Sequence, residues 1–265
     1  MRIGYCCGYS EETVKYAAKV GFTTLEIGYH ANESDWPKMR QVFDANGMLP
    51  MTVFHYDDYA KGEHVAKDCI KAMDQCKAMG APVLAVNAFV PHPASVKDKL
   101  AFYKKTFGLF AKEAAARGLR VAIENCPHGL HNIGYSPVMW DAMFNEVDPS
   151  IIGLEFDPSH LVWLGVDYVA ALKKYAKYTY AFHAKDTEVF EDVLAVQSIE
   201  GHGWWRYRIP GWGEVEWEKL FTILWENDYK GDITIEHEDP VFEGPRMKEG
   251  LERGLTFLQG LVGHW

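Results

Sequence analysis

The chain of 265 residues carries 37 acidic and 27 basic side chains, which gives a formal net charge of −10. With 48% hydrophobic and 24% charged residues, its composition is that of a folded globular protein and excludes the disordered, collagen-like and disulfide-scaffold classes. The negative balance argues against nucleic acid as a partner, because proteins bind it largely through Lys and Arg. Five cysteines without a C-x-x-C pair indicate reduced thiols. The first residues contain no long apolar run, so we expect a cytoplasmic protein without a membrane partner.

Eight short runs of β-forming residues alternate with longer amphipathic runs, which is the pattern of strand and helix units around a parallel sheet. The predicted strands cover residues 2–6, 23–27, 51–54, 83–86, 120–123, 151–156, 178–182 and 232–235. The predicted helices cover residues 11–19, 35–45, 64–79, 95–117, 137–145, 168–175, 217–227 and 246–259.

Eight such units in 265 residues average about 33 residues each, which is the spacing of a (β/α)8 barrel. We therefore predict an α/β fold, a single (β/α)8 TIM barrel domain over residues 1–265. A doubly wound open sheet is the competing architecture. The first strand, however, leads into GYCCGYSEE and not into a G-x-G-x-x-G turn for a dinucleotide.

One long segment, from residue 183 to the helix start near residue 214, shows no regular pattern and is rich in aromatic residues, including Trp204, Trp205 and Tyr207. Connections of this length are usually functional or disordered, and aromatic side chains disfavour disorder. Loops that follow barrel strands lie at the catalytic end of the barrel. We interpret this loop after strand 7 as an active-site lid, with an oligomer contact as the alternative.

The last four predicted strands end in residues able to bind a metal ion, namely Glu124, Asp157, His183 and Glu236. Because the carboxyl ends of barrel strands converge, these side chains are expected to be neighbours. Three carboxylates in one place repel one another unless a cation lies between them. Each residue alone is better explained as a solvated loop residue or a helix cap, but four in succession favour a divalent metal. Glu238 lies on the same side of an extended strand as Glu236 and is the alternative ligand there.

The whole chain resembles the xylose isomerase-like TIM barrels, most specifically in the segments FDPSH, FHAKD, PGWGEVEW and TIEHED. That family includes sugar isomerases, ketose 3-epimerases, inosose dehydratases and, more distantly, endonuclease IV. The resemblance implies that Glu124, Asp157, His183 and Glu236 bind one divalent ion. A carboxylate-rich set with one imidazole favours Mn²⁺, with Mg²⁺, Co²⁺ and Zn²⁺ as alternatives.

Substrate-binding residues are predicted from the same resemblance and from position. The resemblance implies that His160 and Arg208 contact the substrate, although His160 is alternatively a histidine packed beside the sheet. Arg206 and Arg208 point the same way in an extended stretch, and we predict that one of them reaches the substrate. Lys185 is predicted to neutralise developing charge, with a surface ion pair as the alternative. Trp204 is the predicted lid contact.

The leading functional hypothesis is a metal-dependent isomerase or epimerase of a sugar or keto-sugar. The ion would polarise a carbonyl and stabilise an enediolate, while Glu124 and Glu236 remove and return a proton on opposite faces of one carbon. The runner-up is a lyase or dehydratase that eliminates a β-substituent from a 3-keto-glycoside or an inosose. An endonuclease IV-like nuclease needs further histidines, of which only His55 is suitably placed, and a non-catalytic sugar-binding protein is the last alternative. A homodimer and a tetramer are both left open, with residues 261–265 as the candidate contact.

Overall fold

The computed structural model describes residues 1–127 and 131–262. Eight parallel strands close into a barrel: β1 (Ile3–Cys7), β2 (Thr24–Gly28), β3 (Leu49–His55), β4 (Val83–Val86), β5 (Arg120–Glu124), β6 (Ile152–Phe156), β7 (Thr179–Ala184) and β10 (Ile233–Ile235). Consecutive barrel strands are neighbours, and β10 closes the barrel on β1 with Tyr5 opposite Ile235. The predicted barrel is confirmed, and its eight predicted strands lie within a few residues of the observed ones.

Within the described residues, ten α-helices accompany the strands: α1 (Glu11–Val20), α2 (Trp36–Ala45), α3 (Glu63–Met79), α4 (Val96–Arg117), α5 (Pro137–Glu146), α6 (Pro158–Trp163), α7 (Tyr168–Tyr175), α8 (Glu191–Gln197), α9 (Trp217–Glu226) and α10 (Met247–Val262). Local sequence sets several of their ends. Ser10 caps α1 by accepting a hydrogen bond from the Thr13 amide at 3.0 Å. Gly80 and Gly118 end α3 and α4 in the left-handed conformation that glycine adopts without strain.

The core lies between the barrel and its helices. Strand β7 is buried along all six residues, as expected for a parallel strand covered on both sides. Large side chains such as Phe107 and Trp140 fill the layer between strands and helices and are fully buried. The register between β6 and β7 shifts between Leu154 and Glu155. Such irregularities re-aim side chains near functional sites, and this one lies two residues before Asp157.

The segment after β7 is more ordered than predicted. The prediction of no regular structure over residues 183–214 is wrong, because β8 (Asp186–Val189) and β9 (Trp205–Arg208) form an antiparallel hairpin with α8 between them. Each strand has only four residues: DTEV in β8 does not alternate, and the aromatic and charged residues of WRYR in β9 alternate over too short a run to identify a strand. Cross-strand pairing supplies what the local pattern lacks, as in Glu188 opposite Arg206.

Two buried carboxylates fix this hairpin to the barrel. Asp186 accepts hydrogen bonds from the amides of Thr187, Gly211 and Val215 at 2.9–3.0 Å and from the Trp217 indole at 2.8 Å. Asp239, beyond β10, accepts from the Arg208 guanidinium at 2.9 Å and from two backbone amides. Asp186 therefore joins the FHAKD segment to the PGWGEVEW segment, and Asp239 joins the TIEHED segment to the end of β9.

None of the five cysteines, all within the described residues, forms a disulfide, as predicted. In residues 1–127 and 131–262 no helix is long and apolar enough to cross a membrane. Residues 263–265 of the candidate oligomer contact lie outside the described residues.

Candidate metal centre and active site

The four predicted metal ligands meet at the carboxyl ends of their strands. Glu124 is the last residue of β5, Asp157 is the N-cap of α6, His183 lies in β7, and Glu236 follows β10. The Nδ1 atom of His183 lies 3.2 Å from Oε2 of Glu236, 3.8 Å from Oδ2 of Asp157 and 3.9 Å from Oε1 of Glu124. Residues separated by more than 100 positions in the sequence thus face one point.

Asp157 uses its two carboxylate oxygens differently. Oδ1 accepts hydrogen bonds from the amide of Ser159 at 2.8 Å and from its hydroxyl at 2.6 Å, and so caps α6. Oδ2 is buried and has no hydrogen-bond partner. The side chain of Asn125 fixes the Asp157 backbone, donating to its carbonyl at 2.9 Å and accepting from its amide at 2.8 Å. The helix cap and the side-chain amide of Asn125 together hold Oδ2 of Asp157 towards His183.

The other nitrogen of His183 faces a pair of carboxylates inside the barrel. Nε2 lies 3.3 Å from Glu26 and 3.3 Å from Glu155, and the Tyr56 hydroxyl contacts the same two carboxylates at 3.0 and 2.5 Å. Burial raises the pKa of Glu155 well above its ordinary value, and the neighbouring Glu26 raises it further. Burial alone would lower the pKa of His183, but the surrounding carboxylates raise it well above the usual value. A proton on Nε2 leaves Nδ1 as the atom that faces the predicted ligands.

Lys185 lies within the ligand cluster and not on the surface. Its side chain is 1% exposed, and its ammonium donates to Glu236 at 2.5 Å and to Glu238 at 2.8 Å and lies 3.3 Å from Oδ2 of Asp157. Burial would raise the pKa of Asp157, but Lys185 and His160 hold it down to about 2. Lys185 and His183 also keep the pKa of Glu236 well below its usual value, against the effect of burial.

His160, predicted to bind substrate, is 1% exposed at the start of α6. Its Nε2 lies 3.1 Å from Oε1 of Glu124, and its Nδ1 lies 2.8 Å from the hydroxyl of Tyr207. The indole of Trp163 donates to the same hydroxyl at 3.3 Å and stacks on Trp205 at 4.7 Å between ring centroids. Three aromatic side chains from α6 and β9 therefore form a wall beside the cluster.

The predicted arginines are engaged by acidic residues of the hairpin region. Arg206 and Arg208 do point to the same side of β9, and both contact Glu188, at 2.7 and 2.5 Å. Arg208 is also paired with Asp239. Trp204 is buried next to Trp205, and its carbonyl accepts a hydrogen bond from the Phe190 amide. Contact of any of these three with substrate stays a prediction.

Residues missed by the sequence interpretation complete the site. Glu155 occupies the middle of the apolar strand IGLEF, where a fully buried acid is a signal that was available. Tyr56 and Tyr207 had no comparable signal, since tyrosine is common in cores and loops alike. On the eighth barrel strand it is Glu236 that faces His183, while Glu238 has a half-exposed side chain and pairs with Lys185.

The donor set fits a divalent ion. Ligand atoms of Glu124, Asp157, His160 and Glu236 all lie within 4.8 Å of one another, so this group contains His160 in the place of the predicted ligand His183. Nδ1 of His183 lies 3.2–3.9 Å from the same three carboxylates. Oδ2 of Asp157 and Nδ1 of His183 are buried and make no hydrogen bond, although the Lys185 ammonium lies 3.3 Å from Oδ2, and buried atoms without a hydrogen bond cost free energy unless a cation or proton donor meets them. Three carboxylates and one imidazole match the preferences of Mn²⁺ and related ions.

Comparison with known proteins agrees with this geometry. Residues 14–260 match the model of the family described as the xylose isomerase-like TIM barrel. The chain belongs to this xylose isomerase-like family. One relative of the chain is an inosose dehydratase of Bacillus cereus (strain AH820), 28% identical over 227 residues that cover 76% of this chain and 72% of the relative.

Solved structures show the same fold. The structure of D-psicose 3-epimerase in the presence of D-fructose superposes with a TM-score of 0.79 at 14% identity, covering 99% of this chain and 100% of the other. The IolI protein with a binding zinc atom gives a TM-score of 0.76 at 15% identity, covering 99% and 98% of the two chains. At these identities the likeness concerns the barrel and not the chemistry.

Proposed function

We propose that this member of the xylose isomerase-like family is a divalent-metal-dependent isomerase or epimerase of a sugar or keto-sugar. The observation that carries the proposal is the convergence of Glu124, Asp157, His183 and Glu236, with two buried ligand atoms, Oδ2 of Asp157 and Nδ1 of His183, that make no hydrogen bond. A bound divalent ion supplies a Lewis acid that stabilises negative charge developing on a carbonyl oxygen. Mn²⁺ is the proposed ion, since carboxylates dominate the ligand set.

The side chains of the cluster have distinct roles in this proposal. Asp157 and His183 hold the ion, because one is fixed by a helix cap and the other by a carboxylate pair. Glu124 and Glu236 transfer the proton, one taking it from carbon and the other returning it on the opposite face. The half-buried wall of Trp163, Trp205 and Tyr207 suits the apolar face of an uncharged sugar ring.

Proton exchange tests the proposal directly. The purified protein with Mn²⁺ is incubated in D₂O with a panel of keto-sugars, 3-keto-glycosides and inososes. We expect one solvent deuterium at one carbon of a product whose mass is otherwise that of the substrate. Glu124→Gln and Glu236→Gln are expected to abolish exchange while binding of the ion is measured separately. Glu226→Gln, at an exposed position in α9, is the matched control. Full turnover by either active-site variant with metal bound refutes the proposal.

Elimination is the second candidate, and a specific contact favours it. Epimerisation needs Glu236 as the second base, but the Lys185 ammonium, which can act as an acid, donates a hydrogen bond to Glu236 at 2.5 Å. In a dehydration, Glu124 takes the proton from carbon, the electron pair forms the double bond, and Lys185 protonates the departing hydroxyl. The similarity to an inosose dehydratase supports the same outcome. In the D₂O experiment, a product lighter by one water assigns elimination, and conserved mass assigns epimerisation or isomerisation.

Other assignments remain proposals. A sugar as the small-molecule partner, the absence of nucleic acid and membrane partners, a homodimer or tetramer and a cytoplasmic location rest on the sequence alone.

A further inference from the structure

We infer that Asn132, between β5 and α5, is a positioning residue that fixes the main chain at Glu124 and thereby places this carboxylate in the metal centre. The inference rests on the proposed function only for its effects on metal binding and turnover. Asn132 is fully buried. Its Nδ2 donates to the carbonyl oxygens of Glu124 and Cys126 at 2.7 and 2.8 Å. Its Oδ1 accepts from the amides of Ala88 and Gly134 at 3.2 and 2.9 Å.

The orientation of the Asn132 side chain follows from its four partners. A backbone N–H group only donates and a carbonyl oxygen only accepts, so the nitrogen must face the two carbonyls and the oxygen must face the two amides. Among uncharged side chains, only asparagine and glutamine supply two donors and two acceptor sites at one end. A carboxamide carries no charge, so it fills this place without competing with the predicted ligands for a cation.

The Asn132 side chain links β4 to β5 beyond the end of their ladder. The last paired residues of the two strands are Val86 and Ile123. Two residues after β4, the amide of Ala88 donates to Oδ1, and at the last residue of β5 the carbonyl of Glu124 accepts from Nδ2. The side chain thus acts as an inserted peptide group and extends the hydrogen-bonded connection to Glu124.

Backbone pairing fixes the position of Asn132 itself. Its main chain forms an antiparallel bridge with Phe89, and the next amide, that of Ile133, donates to the carbonyl of Ala88 at 3.0 Å. A Cβ atom at Gly134 would lie 3.3 Å from Oδ1 of Asn132, so glycine permits the close approach of its amide to that oxygen. The loop after β5 therefore packs against the loop after β4, and the two together hold the carboxamide in place.

The main chain of Glu124 determines where its carboxylate can reach. Oε1 lies 3.1 Å from Nε2 of His160 and 3.9 Å from Nδ1 of His183. A misplacement of about 1 Å at a reacting group can cost about 10²-fold in rate. Asn125 binds the main chain of Asp157 in a similar way, with one bond donated and one accepted. Two predicted ligands are therefore positioned by carboxamides, and the loss of either amide should weaken binding of the ion.

Hydrogen exchange in the full-length protein tests the bonds of Asn132 without metal or substrate. The parent protein is labelled with ¹⁵N-asparagine, and the side-chain signals of Asn132 are assigned by their absence from Asn132→Ala. The reference is Asn227, an exposed residue at the end of α9 whose Nδ2 donates to one carbonyl. We expect both carboxamide protons of Asn132 to exchange with D₂O at least about tenfold more slowly than those of Asn227. Equal exchange rates overturn the inference.

Asn132→Ala tests the positioning of Glu124. The Kd for Mn²⁺, measured by calorimetry, should rise about tenfold, and kcat should fall about tenfold with KM within about twofold of the parent. Formamide has the size and the hydrogen-bonding groups of the removed carboxamide, so it should restore part of the Mn²⁺ affinity. N,N-dimethylformamide carries no N–H group and should not restore it. Asn132→Ser, which offers a single donor, is the milder variant and should give intermediate values.

Phe107→Leu is the control for a general loss of stability. Phe107 is fully buried in α4, against the rings of Tyr103 and Phe110. This variant should also lower Tm, but Mn²⁺ affinity and kcat should stay within about twofold of the parent. A lowered Tm with parent-like Mn²⁺ affinity in Asn132→Ala would show a merely structural role and overturn the inference. Exchange and Mn²⁺ titration need no turnover, so absence of any reaction with the sugar panel contradicts the proposed function alone.

Discussion

Replacing Asp186 by Asn should loosen the hairpin and lower the stability of the whole protein. Its Oδ1 accepts from the amides of Thr187 and Val215, and its Oδ2 accepts from the amide of Gly211 and the indole of Trp217. An asparagine offers one oxygen, so in either orientation two buried donors lose their acceptor and face an amide group instead. At about 1–3 kcal/mol for each unsatisfied buried group, partly relieved by water, we expect a loss of about 3 kcal/mol.

Urea unfolding followed by tryptophan fluorescence measures this loss, since the chain contains nine tryptophans. Limited proteolysis measures the segment that Asp186 holds against the hairpin, and cleavage within residues 209–217, which follow β9, should become faster. Asp192→Asn, at an exposed position in α8, is the control and should change stability by no more than about 0.5 kcal/mol. A loss below about 1 kcal/mol for Asp186→Asn, with proteolysis as in the parent, would show that Asp186 does not anchor the hairpin.

Three further predictions concern the metal centre. Asp157→Asn should weaken Mn²⁺ binding, measured by calorimetry, roughly tenfold or more, and it keeps the α6 cap because Asn is also a good N-cap. Asp167→Asn, at the N-cap of α7, is the control, and equal Mn²⁺ affinity of the two variants contradicts the ligand assignment. Mn²⁺ at about 100 times its Kd should stabilise the folded protein by about 2.7 kcal/mol and raise its Tm by roughly 5–10 °C. EDTA should reverse this increase, and an unchanged Tm argues against a metal site in the folded state. Lys185→Met should bind Mn²⁺ at least about threefold more tightly, because it removes an ammonium group 3.3 Å from Asp157, and it should turn over substrate more slowly. Weaker Mn²⁺ binding would show that Lys185 assists binding of the ion.

The barrel and the convergence of the four predicted metal ligands were predictable because both depend on local rules. Burial on both sides makes parallel strands apolar, so a charged residue at the end of such a run stands out, as Glu124 and Glu236 do. The topology then brings these ends together whatever the length of the connections. The position of His183 relative to its neighbours follows from the same rule.

The partners of each side chain were not predictable, because they depend on three-dimensional register. Arg206 and Arg208 share a side of β9 as alternation requires, but sequence spacing cannot show that Glu188 contacts both of them. The same alternation directs Tyr207 to the other side, towards His160. The alternation of residue types identifies which side chains share one side of a strand, but it does not identify the residues that those side chains contact.

The hairpin has a further consequence for how this barrel can be diversified. Both strands are tied down near the barrel by Asp186 and Arg208, whereas the hydrogen bonds of residues 190–204 run within that segment. Its surface exposes Val196 and Ile199. Exchanging this segment for one of another length therefore reshapes the rim above the site without cutting an anchor. A library of such exchanges would vary the surface above the proposed metal centre while its side chains stay unchanged.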